Sequence, residues 1–274
     1  VLYDHLGDIL FSLKNYDEAK GAWKNSRSLT LHQKGDLGGE MPNPQTLQEK
    51  IERAKKLIKE LDYSNCKAVI ILGNDKVFSA GLNLKDLSNA KEPNEVALIF
   101  NTLGELLRAC RDFPGPVISI VGGHAIAGGC LLALASDYRY GMHGMHRMGL
   151  NEMAIGIDLP PDMLSIISHS ISRDNLFEVA TQCKMYTPKE ALNKGLINEM
   201  VGNRFSGKKK ATSMALIKAK KLAEFYISAG EPFVRLKQSL MRETDFDYQI
   251  LIDNWFSPST QAKVKSVMSS LNKK

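Results

Sequence analysis

The chain is poor in cysteine, in aromatic residues and in long apolar runs. Its 274 residues include only four cysteines, two tryptophans and 7% aromatic residues in total. The cysteines are far apart and form no CxxC pair, which argues against a zinc knuckle or a redox pair and favours free thiols in a reducing compartment. No apolar run approaches the roughly 18 residues that a membrane span requires, so we expect none.

The rest of the composition is that of an ordinary globular protein. Apolar residues make up 43% of the chain and charged residues 24%. The length suits one large domain, or one domain with a small appendage. The net charge of +6 would suit an acidic partner, either nucleic acid or a phosphorylated ligand. Because the basic residues are dispersed, apart from a short run at 208–210 that we interpret as a solvated loop, we do not expect nucleic-acid binding.

Residues 1–34 are predicted to form a separate helical hairpin. Leu6, Ile9, Leu10 and Leu13 follow helical spacing. The segment YDHLGDILFSLKNYDEAKGAWKNS resembles a single tetratricopeptide repeat, and an amphipathic hairpin of no particular family is the alternative. One repeat cannot bury its own apolar face, so we expect this hairpin to pack on the main domain or to bind a partner protein.

Residues 35–274 alternate between strand and helix patterns. CKAVIIL (Cys66–Leu72) and PVISIVG (116–122) are short apolar runs typical of buried strands, and residues 95–110 follow helical spacing. This alternation predicts an α/β domain with a helical C-terminal region. Further helices are expected over 47–61, 163–181 and 188–194 and in the stripes 233–240 and 255–271, whose apolar residues we assign to the core and to subunit contacts.

Two segments rich in small residues each follow a predicted strand. VFSAGLNLKDL contains Ser79, Ala80 and Gly81, which would let a ligand approach the backbone closely. GGHAIAGGCLLALASDYRY places Gly128 and Gly129 at the start of a helix, where N–H groups are left unpaired. N–H groups from the two segments could then converge on one oxygen, as in an oxyanion hole. The alternatives are a tight turn and a close-packed strand–helix junction.

The stretch MGLNEMAIGIDLPP places a single glutamate, Glu152, among apolar residues. Met148, Leu150, Met153 and Ile155 would supply apolar surroundings. Such surroundings raise the pKa of a carboxyl group, and a pKa near neutrality suits a group that transfers protons. The alternative interpretation is a glutamate in a solvent-facing turn.

Other candidate residues are interpreted as structural. His143 and His146 have the spacing of metal ligands but lack nearby acidic or cysteine partners, so no metal site is predicted. His124 is expected to be a packed loop residue. Cys130 is expected to be a small buried thiol, because no histidine–carboxylate pattern accompanies it.

Three motifs together resemble the crotonase (enoyl-CoA hydratase/isomerase) superfamily. They are FSAGLNL, AGGCLLALASDYR about forty residues later, and GLNEMAIGI. YTPKEALNKGLINEMV is similar to the segment that follows the family's spiral core. The resemblance runs from about residue 43 to the C-terminus and is nearest to mitochondrial Δ3,Δ2-enoyl-CoA isomerases. It implies a spiral of ββα units with a helical C-terminal region, and it makes residues 35–274 an acyl-CoA-binding domain.

The resemblance also assigns roles to residues of this chain. The N–H groups of Leu82 and Gly128 would hold the thioester oxygen of an acyl-CoA, and Glu152 would be the single proton shuttle. Leu131 occupies the place of a second carboxylate that hydratases use on water, which favours isomerisation over hydration. The other residues implied at the substrate are Ala80, Gly81, Asn83, Leu84 and Asn151.

The implied activity is isomerisation of 3-enoyl-CoA in fatty-acid β-oxidation, without a metal or a redox cofactor. The resemblance further implies a homotrimer in the mitochondrial matrix, with peroxisome and cytoplasm as alternatives. Asp158 and Asp162 stand where isomerases tend to be apolar, which keeps open a catalytically silent structural subunit; another crotonase reaction is a third alternative. We interpret Lys218, Lys220 and Lys221 as solvated, although such residues can lie near the ligand's phosphates.

Overall fold

The protein is an α/β structure in which strands alternate between two sheets. The computed structural model describes residues 10–14, 63, 66–73, 76–90, 92–240, 252–253 and 255–271. The strands in these ranges are β1 Leu10–Lys14, β2 Cys66–Leu72, β3 Val77–Ser79, β4 Val117–Val121, β5 His124–Ile126, β6 Tyr138–Met142, β7 Met148–Gly149 and β8 Glu199–Val201.

The helices fill the intervals between strand pairs and most of the C-terminal part. They are α1 Leu84–Asn89, α2 Pro93–Asp112, α3 Gly128–Leu134, α4 Pro161–Ser170, α5 Arg173–Thr181, α6 Pro188–Asn193, α7 Lys208–Ala229, α8 Glu231–Leu240 and α9 Pro258–Leu271, with a 3₁₀ turn at Glu152–Ile155. Local sequence explains several of the helix starts. For example, α2 begins with a proline at its first position after a reciprocal capping pair, Glu92 and Glu95.

The larger sheet has the strand order β1-β2-β4-β6-β8. Its strands are parallel except for β1, which pairs antiparallel with β2. All five residues of β4 are buried. A parallel sheet covered on both faces favours continuous apolar runs over alternating ones, which is why VISIV and CKAVIIL were recognisable as strands. The predicted strand Cys66–Leu72 is confirmed at both ends.

The smaller sheet has the order β3-β5-β7 and is parallel throughout. Each winding of the chain therefore contributes one strand to the larger sheet, one to the smaller sheet and then a helix or helical turn. The windings are β2-β3-α1, β4-β5-α3 and β6-β7 followed by the 3₁₀ turn. This is the predicted spiral of ββα units, and it brings the carboxyl ends of β3, β5 and β7 side by side.

Two apolar cores lie on opposite faces of the larger sheet. One core joins helices α2, α3 and α4 to both sheets. In the other, helix α7 packs against β2, β4 and β6 through a stripe of alanines at four-residue spacing, which lets the helix backbone approach the sheet. The stripe consists of Ala211, Ala215, Ala219 and Ala223.

The structure corrects the helix predicted near the N-terminus. Residues Leu10–Lys14 form strand β1, with Leu10 opposite Ile71 and Ser12 opposite Val69. Apolar residues at 10, 11 and 13 fit both the spacing of a helix and that of a strand. The edge of β2 supplies the backbone hydrogen-bond partners for β1, and a local sequence pattern does not reveal such a partner. The rest of the predicted hairpin 1–34 and the helix over 47–61 lie outside the described residues. None of the described helices is long and apolar enough to cross a membrane.

Candidate active site

A cavity of about 110 Å³ opens where the strands of the smaller sheet end. Seven of the predicted site residues line it: Ala80, Leu82, Leu84, Gly128, Leu131, Asn151 and Glu152. Gly81 and Asn83 do not line it, and the carbonyl of Asn83 accepts the Leu87 N–H at the start of α1. The lining is mainly apolar, with the Glu152 carboxylate facing the same space as the two small-residue segments.

The two small-residue segments touch each other at this cavity. Gly81 has φ +80°, and a Cβ placed on it would lie 2.9 Å from the Gly128 nitrogen. The chain turns between β5 and α3 at Ala127, which has φ 51°, a conformation that costs energy for a residue with a side chain. The N–H groups of Leu82 and Gly128 donate to no acceptor within the described residues. Leu82 and Gly128 both line the cavity.

Glu152 begins the 3₁₀ turn that follows β7. Its Oε2 atom is buried and accepts no hydrogen bond from the part of the chain that the structure describes. Burial raises the pKa of Glu152 to about 7, against a smaller opposing effect of the Glu152 and Asn151 backbone N–H groups. A carboxyl group with this pKa exists in both protonation states near neutral pH, as a proton carrier requires.

The apolar surroundings of Glu152 differ in part from those predicted. Met148, Leu150 and Ile155 are buried as expected. The prediction that Met153 helps to bury Glu152 is wrong, because 51% of its surface is exposed and it does not line the cavity. In a 3₁₀ turn adjacent residues point in different directions, so the neighbour of an inward glutamate faces outward. Ile157, four residues further along, lines the cavity instead.

The strand before Glu152 is held in place by a distant segment. Met148 and Tyr186 exchange two backbone hydrogen bonds, at 3.0 and 2.9 Å. The Tyr186 hydroxyl donates to Glu178 at 3.0 Å. A Cβ on Gly149 would lie 2.3 Å from the Lys184 carbonyl oxygen, so glycine is needed for this close approach. The segment that begins at Tyr186 thus fixes β7, and with it the start of the turn that carries Glu152.

Several cavity residues were not predicted as site residues. They come from helices α1, α2 and α4 and from the segment after the turn: Leu87, Phe100, Leu103, Met163, Ile157 and Leu159, together with Ile126 and Ala127 at the end of β5. Helical spacing placed Phe100 and Leu103 inside a helix. It could not indicate which helical residues face the ligand, because that depends on how the windings stack.

The two aspartates that stand where isomerases tend to be apolar, Asp158 and Asp162, differ in position. Asp158 lines the cavity, so an acidic side chain is present where an apolar one was expected from the family resemblance. Asp162 is buried in the first turn of α4 and does not line the cavity. The acidic group that distinguishes this cavity, besides Glu152, is therefore Asp158.

The remaining candidates lie away from the cavity or are chemically quiet. Cys130 is fully buried, and burial raises the pKa of its thiol far above the usual range. Burial lowers the pKa of His146 to about 4, while His143 is exposed. Among the described residues, no cluster of histidine, cysteine and acidic side chains could hold a metal. Lys218 pairs with Glu199 on β8, and the exposed His124 accepts the Arg147 N–H at 3.1 Å.

Proteins with similar sequences include an enoyl-CoA hydratase domain-containing protein and a probable enoyl-CoA hydratase. The mitochondrial enoyl-CoA hydratase domain-containing protein 3 of Mus musculus is 25% identical over 203 residues, which cover 72% of this chain and 65% of that relative. A probable enoyl-CoA hydratase of Mycobacterium avium is 28% identical over 134 residues, covering 49% of this chain and 51% of the relative. The chain thus spans less than two-thirds of the length of these curated relatives.

Solved structures share the fold, and a family model matches the sequence. Human mitochondrial Δ3-Δ2-enoyl-CoA isomerase superposes with a TM-score of 0.66 at 22% identity, covering 85% of this chain and 92% of that one. An enoyl-CoA hydratase from Bacillus halodurans gives 0.61 at 20% identity, covering 79% and 89%. The model that describes enoyl-CoA hydratase/isomerase matches residues 43–251. Because that match includes all three windings and every predicted residue of the cavity, the chain belongs to the enoyl-CoA hydratase/isomerase family.

Proposed function

We propose that this protein is a Δ3,Δ2-enoyl-CoA isomerase, which converts 3-enoyl-CoA to trans-2-enoyl-CoA. The observation that carries the proposal is the buried Glu152 Oε2 atom, which has no hydrogen-bond partner in the described residues and belongs to a side chain that lines the cavity. Leu82 and Gly128, whose N–H groups donate to no acceptor within the described residues, line the same cavity. A base and two donors around one apolar space match the needs of proton transfer next to a thioester.

The reaction proceeds through an enolate that the two N–H groups stabilise. The thioester oxygen accepts hydrogen bonds from Leu82 and Gly128, and the Glu152 carboxylate removes a proton from C2. The electron pair of the broken C–H bond moves into the C1–C2 bond, and negative charge develops on the thioester oxygen, where preorganised donors stabilise it. Protonated Glu152 then delivers its proton to C4. The carbonyl re-forms, the double bond moves from C3–C4 to C2–C3, and Glu152 is regenerated as the carboxylate.

Leu131 supports isomerisation over hydration. It is 1% exposed and lines the cavity from helix α3, at the place where the family resemblance expects the second carboxylate of a hydratase. A leucine side chain can neither bind a water molecule nor take its proton. A single carboxylate suffices for isomerisation, since the same group can remove one proton and return it at a carbon two bonds away.

The direct test is the conversion of a 3-enoyl-CoA, followed by the absorbance of the conjugated thioester. Glu152→Gln should lower kcat/KM by about a hundredfold to ten-thousandfold, because the amide cannot accept the C2 proton. Glu105→Gln is the matched control; this glutamate is exposed on α2 and should leave the rate unchanged. In the wild type, kcat/KM should fall as the pH decreases below about 7, where Glu152 becomes protonated.

Two results would contradict the proposal. A wild-type protein with no turnover between about pH 6 and 9 would point to a catalytically silent structural subunit. Hydration or thioester cleavage among the products would point to another reaction of the family. In either case the fold and the family membership would stand, because they rest on the strand topology and on the sequence match.

We also propose that the protein works as a homotrimer in the mitochondrial matrix, as an enzyme of fatty-acid β-oxidation. Helices α7 and α8 expose large apolar side chains, which support a subunit interface there: Ile217, Phe225, Leu236 and Leu240. Light scattering should give three times the 30.4 kDa mass of one chain. A monomeric mass would contradict the trimer, and imaging of the tagged protein in cells tests its location.

A further inference from the structure

The C-terminal helix α9 contacts the turn that carries Glu152 through one buried hydroxyl. Thr260 is 1% exposed, and its Oγ1 donates to the Gly156 carbonyl oxygen at 3.0 Å. Ser257 in turn donates its hydroxyl to Thr260 Oγ1 at 3.0 Å and accepts the Thr260 N–H at 3.3 Å. A buried hydroxyl with this set of partners has a defined orientation, which an exposed threonine lacks.

Gly156 is the residue at which the turn of Glu152 ends. Its φ is +80°, and its N–H donates to the Met153 carbonyl at 3.1 Å. The next N–H, of Ile157, donates to the carbonyl of Glu152 itself at 3.1 Å. The Gly156 carbonyl and the Ile157 N–H belong to the same peptide group, so the peptide that Thr260 holds is the one that hydrogen bonds directly to the Glu152 carbonyl.

Space at this contact is tight. A Cβ on Gly156 would lie 2.7 Å from Thr260 Oγ1 and 3.4 Å from Lys263 Nζ. Glycine is therefore required both by the left-handed backbone and by the approach of α9. Loss of the hydroxyl bond would leave the Gly156 carbonyl without its side-chain donor and would loosen the end of the turn.

We propose that Thr260 is a positioning residue, which fixes the turn through the Gly156 carbonyl so that the Glu152 carboxylate stays inside the cavity. The inference rests on the proposed isomerase function and adds a C-terminal residue to it. No step of the reaction passes through Thr260; it acts only on where Glu152 lies and on how much water reaches the carboxylate.

The test compares Thr260→Val, which keeps the shape and removes the donor, with Thr260→Ser, which keeps the donor. Thr260→Val should lower kcat/KM by about tenfold to a hundredfold, since small displacements of a reacting group are costly. The pKa of Glu152, followed by ¹³C NMR of the labelled carboxyl group, should fall from about 7 towards 4.5 as water enters. Thr260→Ser should keep both values near those of the wild type.

Other titratable groups near Glu152 are the same in all variants. Cys130 faces it from α3, Asp158 lines the same cavity, and Lys263 lies beside Gly156 on α9. Ser269→Ala removes an exposed hydroxyl from the same helix and serves as the matched control, with no change expected.

The outcomes separate positioning from general stability. A lower melting temperature in Thr260→Val with an unchanged Glu152 pKa would overturn the proposal, as would equal losses in Thr260→Val and Thr260→Ser. If the wild type proved inactive, the isomerase function would fail by itself. The NMR measurement would still decide on Thr260, because a shifted pKa supports the positioning role and an unshifted one rejects it.

Discussion

Asp137 and Glu152 are both buried carboxylates, and the fold surrounds them in opposite ways. Asp137 Oδ2 accepts hydrogen bonds from Lys237 Nζ and from the Val117 N–H, each at 2.7 Å. Glu152 Oε2 accepts none from the described residues. Asp137 joins helix α8 to the larger sheet, whereas Glu152 faces the cavity. Both hydrogen bonds to Asp137 hold the structure together, whereas one carboxylate oxygen of Glu152, Oε2, is left without a donor from the described residues, where a substrate proton would have to be accepted.

The backbone differs between the two regions as well. Around Asp137, regular parallel strands meet a 22-residue helix along its alanine stripe. Around Glu152, three positions have left-handed φ angles: Gly81, Ala127 and Gly156. Unpaired polar atoms and unusual backbone angles both cost stability, and the regular region offsets that cost. The comparison therefore predicts that changes at the two carboxylates move the free energy of unfolding in opposite directions.

The largest effect is expected from Lys237→Met. The side chains of Lys237 and Asp137 are 5% and 12% exposed, so removing the cation leaves a buried carboxylate with only one donor. We expect a loss of about 3–5 kcal/mol in the free energy of unfolding, measured with urea. The double variant Lys237→Met/Asp137→Asn should recover part of the loss, since a neutral amide is cheaper to bury. A single variant within about 1 kcal/mol of the wild type would show that the ion pair does not hold α8.

A smaller effect of opposite sign is expected from Glu152→Gln. The folded-state pKa of about 7 lies above the ordinary 4.5, so ionisation of Glu152 favours the unfolded chain. The penalty is absent below about pH 4.5, grows as the pH rises towards 7 and is complete above it. Glutamine removes it, so the variant should be more stable than the wild type by about 3 kcal/mol at pH 8 and equal to it near pH 4.

Urea unfolding at pH 8 and pH 4 measures this difference without reference to catalysis. The result also connects the two regions, since the stabilised variant should be the inactive one. A destabilised Glu152→Gln at pH 8 would mean that hydrogen bonds to the carboxylate outweigh the cost of its burial, and the contrast with Asp137 would then disappear.

The sequence predicted much of the fold and the central residues of the candidate site, but few of the other residues that line the cavity. The strands Cys66–Leu72 and Val117–Val121 were visible because parallel strands buried on both faces are short continuous apolar runs. The α/β class followed from their alternation with helices. Strand β1 was missed because its pairing with β2 is not encoded in its own periodicity.

The site residues were found through motifs, and their surroundings depend on tertiary packing. Glu152 stood out as a single acid in an apolar stretch, and the two small-residue segments marked the ends of their strands. The contributions of Phe100 and Met163 depend on how α2 and α4 stack over the cavity, which no local pattern contains. For the same reason Met153 was wrongly placed beside the carboxylate.

The smallest effect is expected from Met153→Gln, which separates neighbours in sequence from neighbours in space. Since Met153 is 51% exposed, the change should alter the free energy of unfolding by less than about 0.5 kcal/mol. It should leave the Glu152 pKa near 7, because the carboxylate is desolvated by the cavity wall and not by the adjacent side chain. Ile157→Asn is the matched comparison: it puts an amide donor into that wall and should lower the pKa. If the Glu152 pKa fell in Met153→Gln and stayed near 7 in Ile157→Asn, the neighbouring side chain in sequence, and not the cavity wall, would be what desolvates the carboxylate.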